Sequence, residues 1–435
     1  LSLTQRRSEA VREVFEHKAW DGIEELVGSS ENPYTVGFSV GGLDDELVEE
    51  GALGWGDADG DQQLQALRGY FFARHRKSGW EWVETQARQH VGKWSDERLG
   101  SALLAISDEA AGWRLSEELG PKVEKAYWTN FRGMPPGADL WIAARKLVKH
   151  GRPFAAVQLI GAAQTLKKGS FDPDTAYFVL EAAASATEPP APGDVSGIDY
   201  EIGQTLLALD EAEFDESKLA QLEWVFLRVL ERDPEGLKHL HRRLAREPEF
   251  FVELLIVLFR PDQGGPSQGD PDPKLVRLAQ HVWTLLQTWK GPIPGISPDG
   301  SLDEGALVDW VKRTRDLLVA EHRTAIGDQQ IGQVLWHSPA GSDGLHPHEA
   351  VRRVIESTAS GDLNTGFRVA AVNSRGVVMR GPGGDQEREM AADYAARAAA
   401  FSGSFPQTAR IFRELAERYE AEARDWDLRV TRSEG

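Results

Sequence analysis

Asp139-Leu-Trp-Ile-Ala-Ala-Arg-Lys-Leu-Val-Lys-His-Gly-Arg-Pro-Phe-Ala-Ala-Val-Gln-Leu-Ile-Gly-Ala-Ala-Gln-Thr-Leu166 decides the fold class. Leu140, Ala144 and Leu147 precede Gly151, and Ala156, Ile160 and Ala163 follow it, all at helical contact spacing. The stretch therefore reads as two amphipathic helices joined by a tight turn at Gly151. Ala144 and Ala156 let the helices approach closely, and Leu147 and Ile160 fill the remaining space.

The same periodicity extends in both directions. Val11, Val14, Phe15 and then Trp20, Ile23, Leu26, Val27 predict two short helices, and residues 64–72, 80–91 and 99–106 continue the pattern, the last behind an N-cap at Ser95. Similar helix-turn-helix corners are expected at His17-Lys18-Ala19-Trp20 and Lys77-Ser78-Gly79-Trp80. Asp172-Pro173 pairs an N-cap with a first-turn proline ahead of Tyr177, Phe178 and Leu180. Residues 187–194, rich in proline, read as a surface linker.

Beyond it, Leu219, Leu222, Phe226 and Val229 form one apolar stripe, and Leu237, Leu240 and Leu244 form another after Asp233-Pro234. Residues 250–259 are apolar on nearly every side, which predicts a helix packed between layers. Linker signals follow at 261–273 and 291–300, flanking a helix over 274–289. Ser301 with Glu304 makes a capping-box pattern before Leu307, Trp310 and Val311. Helices are expected near 331–336, 348–357, 386–401 and 406–426, and a brief extended segment at Val377-Val378-Met379.

These elements predict an all-α fold of antiparallel helical hairpins, stacked as a degenerate α-solenoid with a C-terminal helical bundle. Three parts are expected: an N-terminal helical-repeat array over 1–187, a central apolar helical layer over 194–260, and a C-terminal helical domain over 274–435.

Composition narrows the function classes. With 41% hydrophobic and 27% charged residues, the 435-residue chain can bury a sizeable core. No cysteine is present, so disulfides, thiolate nucleophiles and Cys-ligated metals are excluded. The start carries no secretory signal pattern and no stretch has the length of a membrane span, which predicts a cytoplasmic protein with no membrane partner. A net charge of −20, with basic residues scattered among acids, makes nucleic acid an unfavourable partner. The first residue is Leu1, which suggests a piece of a longer chain whose upstream part carries the chemistry.

His346-Pro347-His348-Glu349, with His337, is the sharpest metal candidate, since imidazole and carboxylate ligands suit zinc. The preferred reading is a helix start, with Pro347 as first helical residue and Glu349 near the positive end of the helix dipole. Asp57, Asp59 and Asp61 alternate like calcium ligands, but Gln62 and Arg68 stand where that loop needs glycine and glutamate, so a loop before a helix is expected. Asp44-Asp45-Glu46 reads as a solvated acidic edge. Gly381-Pro-Gly-Gly384, near Arg375 and Arg380, lacks the lysine of a P-loop and reads as a turn before a cap at Asp385. The 14 tryptophans could stack on carbohydrate, yet Trp141, Trp224, Trp283 and Trp310 sit at helical contact spacing and are expected in cores. No catalytic, cofactor-binding or metal residue is assigned, and no cofactor is expected.

The 139–166 pair resembles a tetratricopeptide repeat. Leu222-Glu-Trp-Val-Phe-Leu-Arg-Val-Leu, Leu240-His-Arg-Arg-Leu-Ala-Arg-Glu-Pro-Glu-Phe-Phe-Val-Glu-Leu-Leu, Ile331-Gly-Gln-Val-Leu and His346-Pro-His-Glu-Ala-Val-Arg-Arg resemble the C-terminal helical region of large bacterial signalling or defence proteins of the STAND type. The likeness covers the second half well and the first half loosely. It implies a sensor region binding a protein partner or serving an upstream effector and NTPase, since this chain holds no Gly-x-x-x-x-Gly-Lys-Ser/Thr loop of its own. The alternatives are an α/α-barrel enzyme acting on carbohydrate and a structural oligomerisation domain.

Overall fold

The computed structural model describes residues 3–106, 109–166, 170–187, 194, 197–231, 236–262, 272–297, 299–375 and 383–433. Among the described residues the chain is all-α, with 22 α-helices, no strand and two isolated bridges, Val91 with Trp94 and Ile296 with Leu302. Its contacts divide it into two compact units, Leu1–Phe214 and Asp215–Gly435.

The first unit contains α1 (Leu3–Ser29), α2 (Pro33–Val40), α3 (Glu46–Gly54), α4 (Asp61–Gln89), α5 (Asp96–Leu103), α6 (Ala110–Glu118), α7 (Pro121–Asn130), α8 (Ala138–Lys149), α9 (Pro153–Thr165), α10 (Pro173–Ala184) and α11 (Ile198–Glu211). Side chains start many of them. Asn32 accepts from the Thr35 N–H, Asp45 from Leu47 and Val48, Ser95 from Arg98 and Asp172 from Thr175, each satisfying donors that a helix start leaves free. The expected α8/α9 turn is present: Gly151 adopts φ 74°, and the Gly151 and Arg152 N–H groups donate to Val148 and Leu147. Ala144, Leu147, Ala156 and Ile160 are all buried in that hairpin.

The two corners expected before tryptophan interrupt α1 at Ala19 and α4 at Gly79. Behind the first corner, the Trp20 and Trp55 indoles lie 5.2 Å apart and both donate to Glu24. Trp55, Tyr70, Phe71, Tyr127, Trp128 and Phe131 are fully buried.

The expected linker over 187–194 differs at its far end. Asp194 is buried and receives two hydrogen bonds from Arg152, whose Nη1 also donates to the Trp128 and Phe131 carbonyls. A bidentate ion pair of that kind needs its backbone held, so Asp194 is part of the unit rather than a passing surface residue. The segment expected as a central layer, 194–260, is split: α11 packs on α9, while residues from Asp215 onward belong to the second unit.

The second unit contains α12 (Glu216–Val225), α13 (Leu227–Leu230), α14 (Lys238–Arg246), α15 (Pro248–Leu258), α16 (Pro273–Thr288), α17 (Glu304–Ala320), α18 (Thr324–Leu335), α19 (Glu349–Thr358), α20 (Gly361–Asn373), α21 (Asp385–Phe401) and α22 (Pro406–Ser433). Three expectations change here. The helix over 250–259 is not enclosed on all sides: Phe251, Val252, Leu254 and Leu255 are buried, but Ile256 and Val257 are 37% and 40% exposed. Among the described residues it packs against α14, α16 and α17. The capping box at Ser301 is not used, because Ser301 donates to Asp299 and the α17 cap is Asp303, which accepts from the Ala306 N–H. Trp310 is buried as expected, but Trp283 is 50% exposed and Trp141 and Trp224 are half-buried.

Close helix approaches occur in each unit. A Cβ on Gly37 or Gly69 would run into the backbone of Ala66 or Tyr34, fixing α2 against α4. Gly332 and Gly366 stand in the same relation to Leu363 and Gln329, fixing α18 against α20. Val377-Val378-Met379, Asp233-Pro234, Gly381 and Arg380 lie outside the described residues, as does most of 261–273.

Candidate functional site

The α18/α20 crossing forms one wall of a pocket of about 550 Å³ in the second unit. Gln330 and Gln333, three residues apart, lie on one face of α18; Asn373 and Ser374 end α20; Gln287 and Lys290 come from the end of α16. Leu286 and Val334 add apolar lining, and beneath them lie the buried Phe251 and Trp289 rings, with centroids 5.8 Å apart and Trp310 behind both. Trp289 is fixed by its indole N–H, which donates to the Pro292 carbonyl at 2.9 Å.

The carboxamides of Gln287, Gln330, Gln333 and Asn373 make no hydrogen bond with any described residue, and the Lys290 ammonium meets no carboxylate. Among the described residues no aspartate or glutamate lines the pocket. His337 does, and burial together with the nearby Lys290 and His346 pushes its imidazole down to about 4, so it is neutral near pH 7. The chemistry on offer is hydrogen bonding from neutral groups that both donate and accept, beside one cation and an aromatic floor. Paired carboxylates for acid and base work are not among these groups.

Three of the four metal candidates are drawn into other bonds. His346 Nε2 lies 2.7 Å from the Trp336 carbonyl oxygen. His348 is the N-cap of α19, and its Nδ1 accepts from the Ala350 N–H at 3.1 Å. Glu349 accepts from the Ser342 N–H and hydroxyl, and His337 faces the pocket. Among the described residues no three metal-ligating side chains converge. The helix start itself falls later than expected: Pro347 precedes the cap and follows a cis bond from His346, and Glu349 is the first helical residue. Arg352, fully buried, braces this loop by donating to both Asp343 carboxylate oxygens and to the Pro347 and Leu345 carbonyls.

The other constellations also resolve into local structure. Asp45 caps α3, and Asp44 pairs with Lys77 and Arg74. Asp57, Asp59 and Asp61 belong to no metal-holding group; Gly60 is the α4 cap, and Asp61 lies in its first turn. Gly384, not Asp385, is the cap of α21, and Arg375 is held by buried Glu387. Trp141, Phe171 and Tyr200 line a groove of about 560 Å³ whose one carboxylate is Glu211, which leaves an acid and base pair incomplete there.

The pocket was not among the sequence candidates. The i, i+3 placement of Gln330 and Gln333 was readable, but glutamines on a helix face are ordinary, and only the tertiary crossing adds Gln287 and Asn373. No helix among the described residues is long and apolar enough to cross a membrane. The chain matches no protein family, no curated protein and no solved structure.

Proposed function

We propose that this chain is a non-catalytic helical interaction region, cytoplasmic and part of a larger bacterial signalling or defence protein, whose second unit binds an extended segment of a protein partner. The observation that carries this reading is the pocket wall of four unpaired carboxamides without a carboxylate. A carboxamide presents a donor and an acceptor side by side, which matches the N–H and C=O groups of a peptide backbone. Lys290 adds a partner for a carbonyl or a terminal carboxylate, and the half-buried Leu286 offers contact to one apolar side chain. The upstream effector and NTPase are inferred from the STAND-type likeness and from the helical-repeat character of the 139–166 hairpin.

The test is retention of a partner by the full-length parent protein under activating conditions. The triple variant Gln330→Ala/Gln333→Ala/Asn373→Ala should lose the partner, while Glu31→Ala, exposed in the first unit, should keep it. Equal retention by both variants, or turnover of a glycan by the chain, would sink the proposal.

A further inference from the structure

A second site lies on the first unit, independent of the peptide pocket. There α4, α5 and α7 border a groove of about 1060 Å³ lined by Arg68, Lys122 and Lys125. Acidic residues outnumber basic ones 69 to 49, so a basic side chain in this protein usually finds a carboxylate or a carbonyl. Neighbouring arginines do: Arg74 pairs with Glu49, Arg88 with Glu118, and Arg98 donates to the Trp55 and Gly60 carbonyls. Arg68 is half-buried, and its guanidinium makes no hydrogen bond or ion pair with any described residue. Partial burial pushes it below its ordinary range, and the nearby Tyr34 opposes the shift. The Lys122 and Lys125 ammoniums likewise meet no carboxylate.

Ser101 and Thr129 add hydroxyl groups to the groove lining. We propose that this groove binds a small phosphate-bearing molecule, its phosphate held by Arg68, Lys122 and Lys125. A guanidinium and two ammoniums lining one groove match a multiply charged phosphate better than a single carboxylate, which one of these cations would already neutralise. Asp96 and Glu97 also line the groove and, with the overall charge of −20, repel an extended polyanion such as nucleic acid. They leave partners for hydroxyl groups on the body of a compact ligand.

Titration calorimetry of the full chain with inorganic phosphate and pyrophosphate tests the site, with sodium chloride at matched ionic strength as the control. Saturable pyrophosphate binding is expected, accompanied by a rise in melting temperature, and weakened about tenfold or more in Arg68→Gln and in Lys122→Ala/Lys125→Ala. The lysine pair is exposed, so that variant decides the matter even if the arginine variant fails to fold. Absence of saturable binding at millimolar pyrophosphate, unchanged affinity in the lysine variant, or the same melting shift with sodium chloride would overturn the assignment.

Discussion

At the scale of single residues, two positions hold the backbone or a charge in an unfavourable state. Ala359 ends α19 at φ 47°, ψ 33°, where an L side chain crowds its own carbonyl and glycine does not. Its N–H donates to the Ile355 carbonyl and its side chain is exposed, so Ala359→Gly keeps the cap and loses no packing. The variant should be more stable by about 0.5 to 1 kcal/mol, read from urea unfolding midpoints. Glu223 is buried on α12 and caps α14 by accepting from the His239 and Leu240 N–H groups. Burial raises its carboxyl from 4.5 to about 8, with the two N–H groups opposing the shift. Between those values the folded chain holds a proton that the unfolded chain has released, so this group's contribution to stability is complete at low pH and is lost as pH rises towards 8. Melting temperatures of the wild type minus those of Glu223→Gln should therefore fall between about pH 5 and 8. A difference that is flat or rises across that window would remove the linkage.

At the scale of helices, close approach accounts for the frame of the pocket. A Cβ on Gly366 meets the Gln329 backbone, and the fully buried Phe367 beside it keeps α20 from sliding away. Gly366→Ala should cost about 2 kcal/mol or more despite the better helix propensity of alanine. Gly203, within α11, has open space around it, and Gly203→Ala should instead gain about 0.5 to 1 kcal/mol in the same denaturation assay. What the sequence made legible at this scale was local. Ser95, Asp172 and Gly151 announce their roles because a cap or a left-handed turn depends on a few adjacent residues. The corners before Trp20 and Trp80 were readable for the same reason. Ser301 misled because Asp303, equally able to cap, competes two residues further on, and Pro347, read as the first helical residue, instead precedes the cap at His348. The exposure of Ile256 and Val257 was hidden, since apolar periodicity tells which residues are able to be buried and not whether a neighbour arrives to cover them.

At the scale of the molecule, the division at Phe214 and Asp215 separates the two proposed sites. Neither site had a signature in the chain. The peptide pocket gathers Gln287, Gln330 and Asn373 from three helices, and the anion groove gathers Arg68 and Lys122 from two, so both arise only when the helices pack. Each unit nevertheless has its own buried aromatic core, Tyr70, Phe71, Trp128 and Phe131 in one, Phe251, Phe367, Phe401 and Phe412 in the other. Each also has its own close helix crossing, α2 with α4 and α18 with α20. A unit with its own core is able to fold alone, so residues 1–214 and 215–435 expressed separately should each melt cooperatively by circular dichroism. The cut falls between α11 and α12, just before Asp215, whose side chain accepts from the Lys218 N–H and so caps a helix of its own unit. Starting the second fragment at residue 219 removes that cap and the first turn of α12, and should lower its melting temperature relative to the 215–435 fragment. If either unit remains unfolded alone while the intact chain melts as one transition, the division into independent cores is wrong, and the two sites belong to a single cooperative structure.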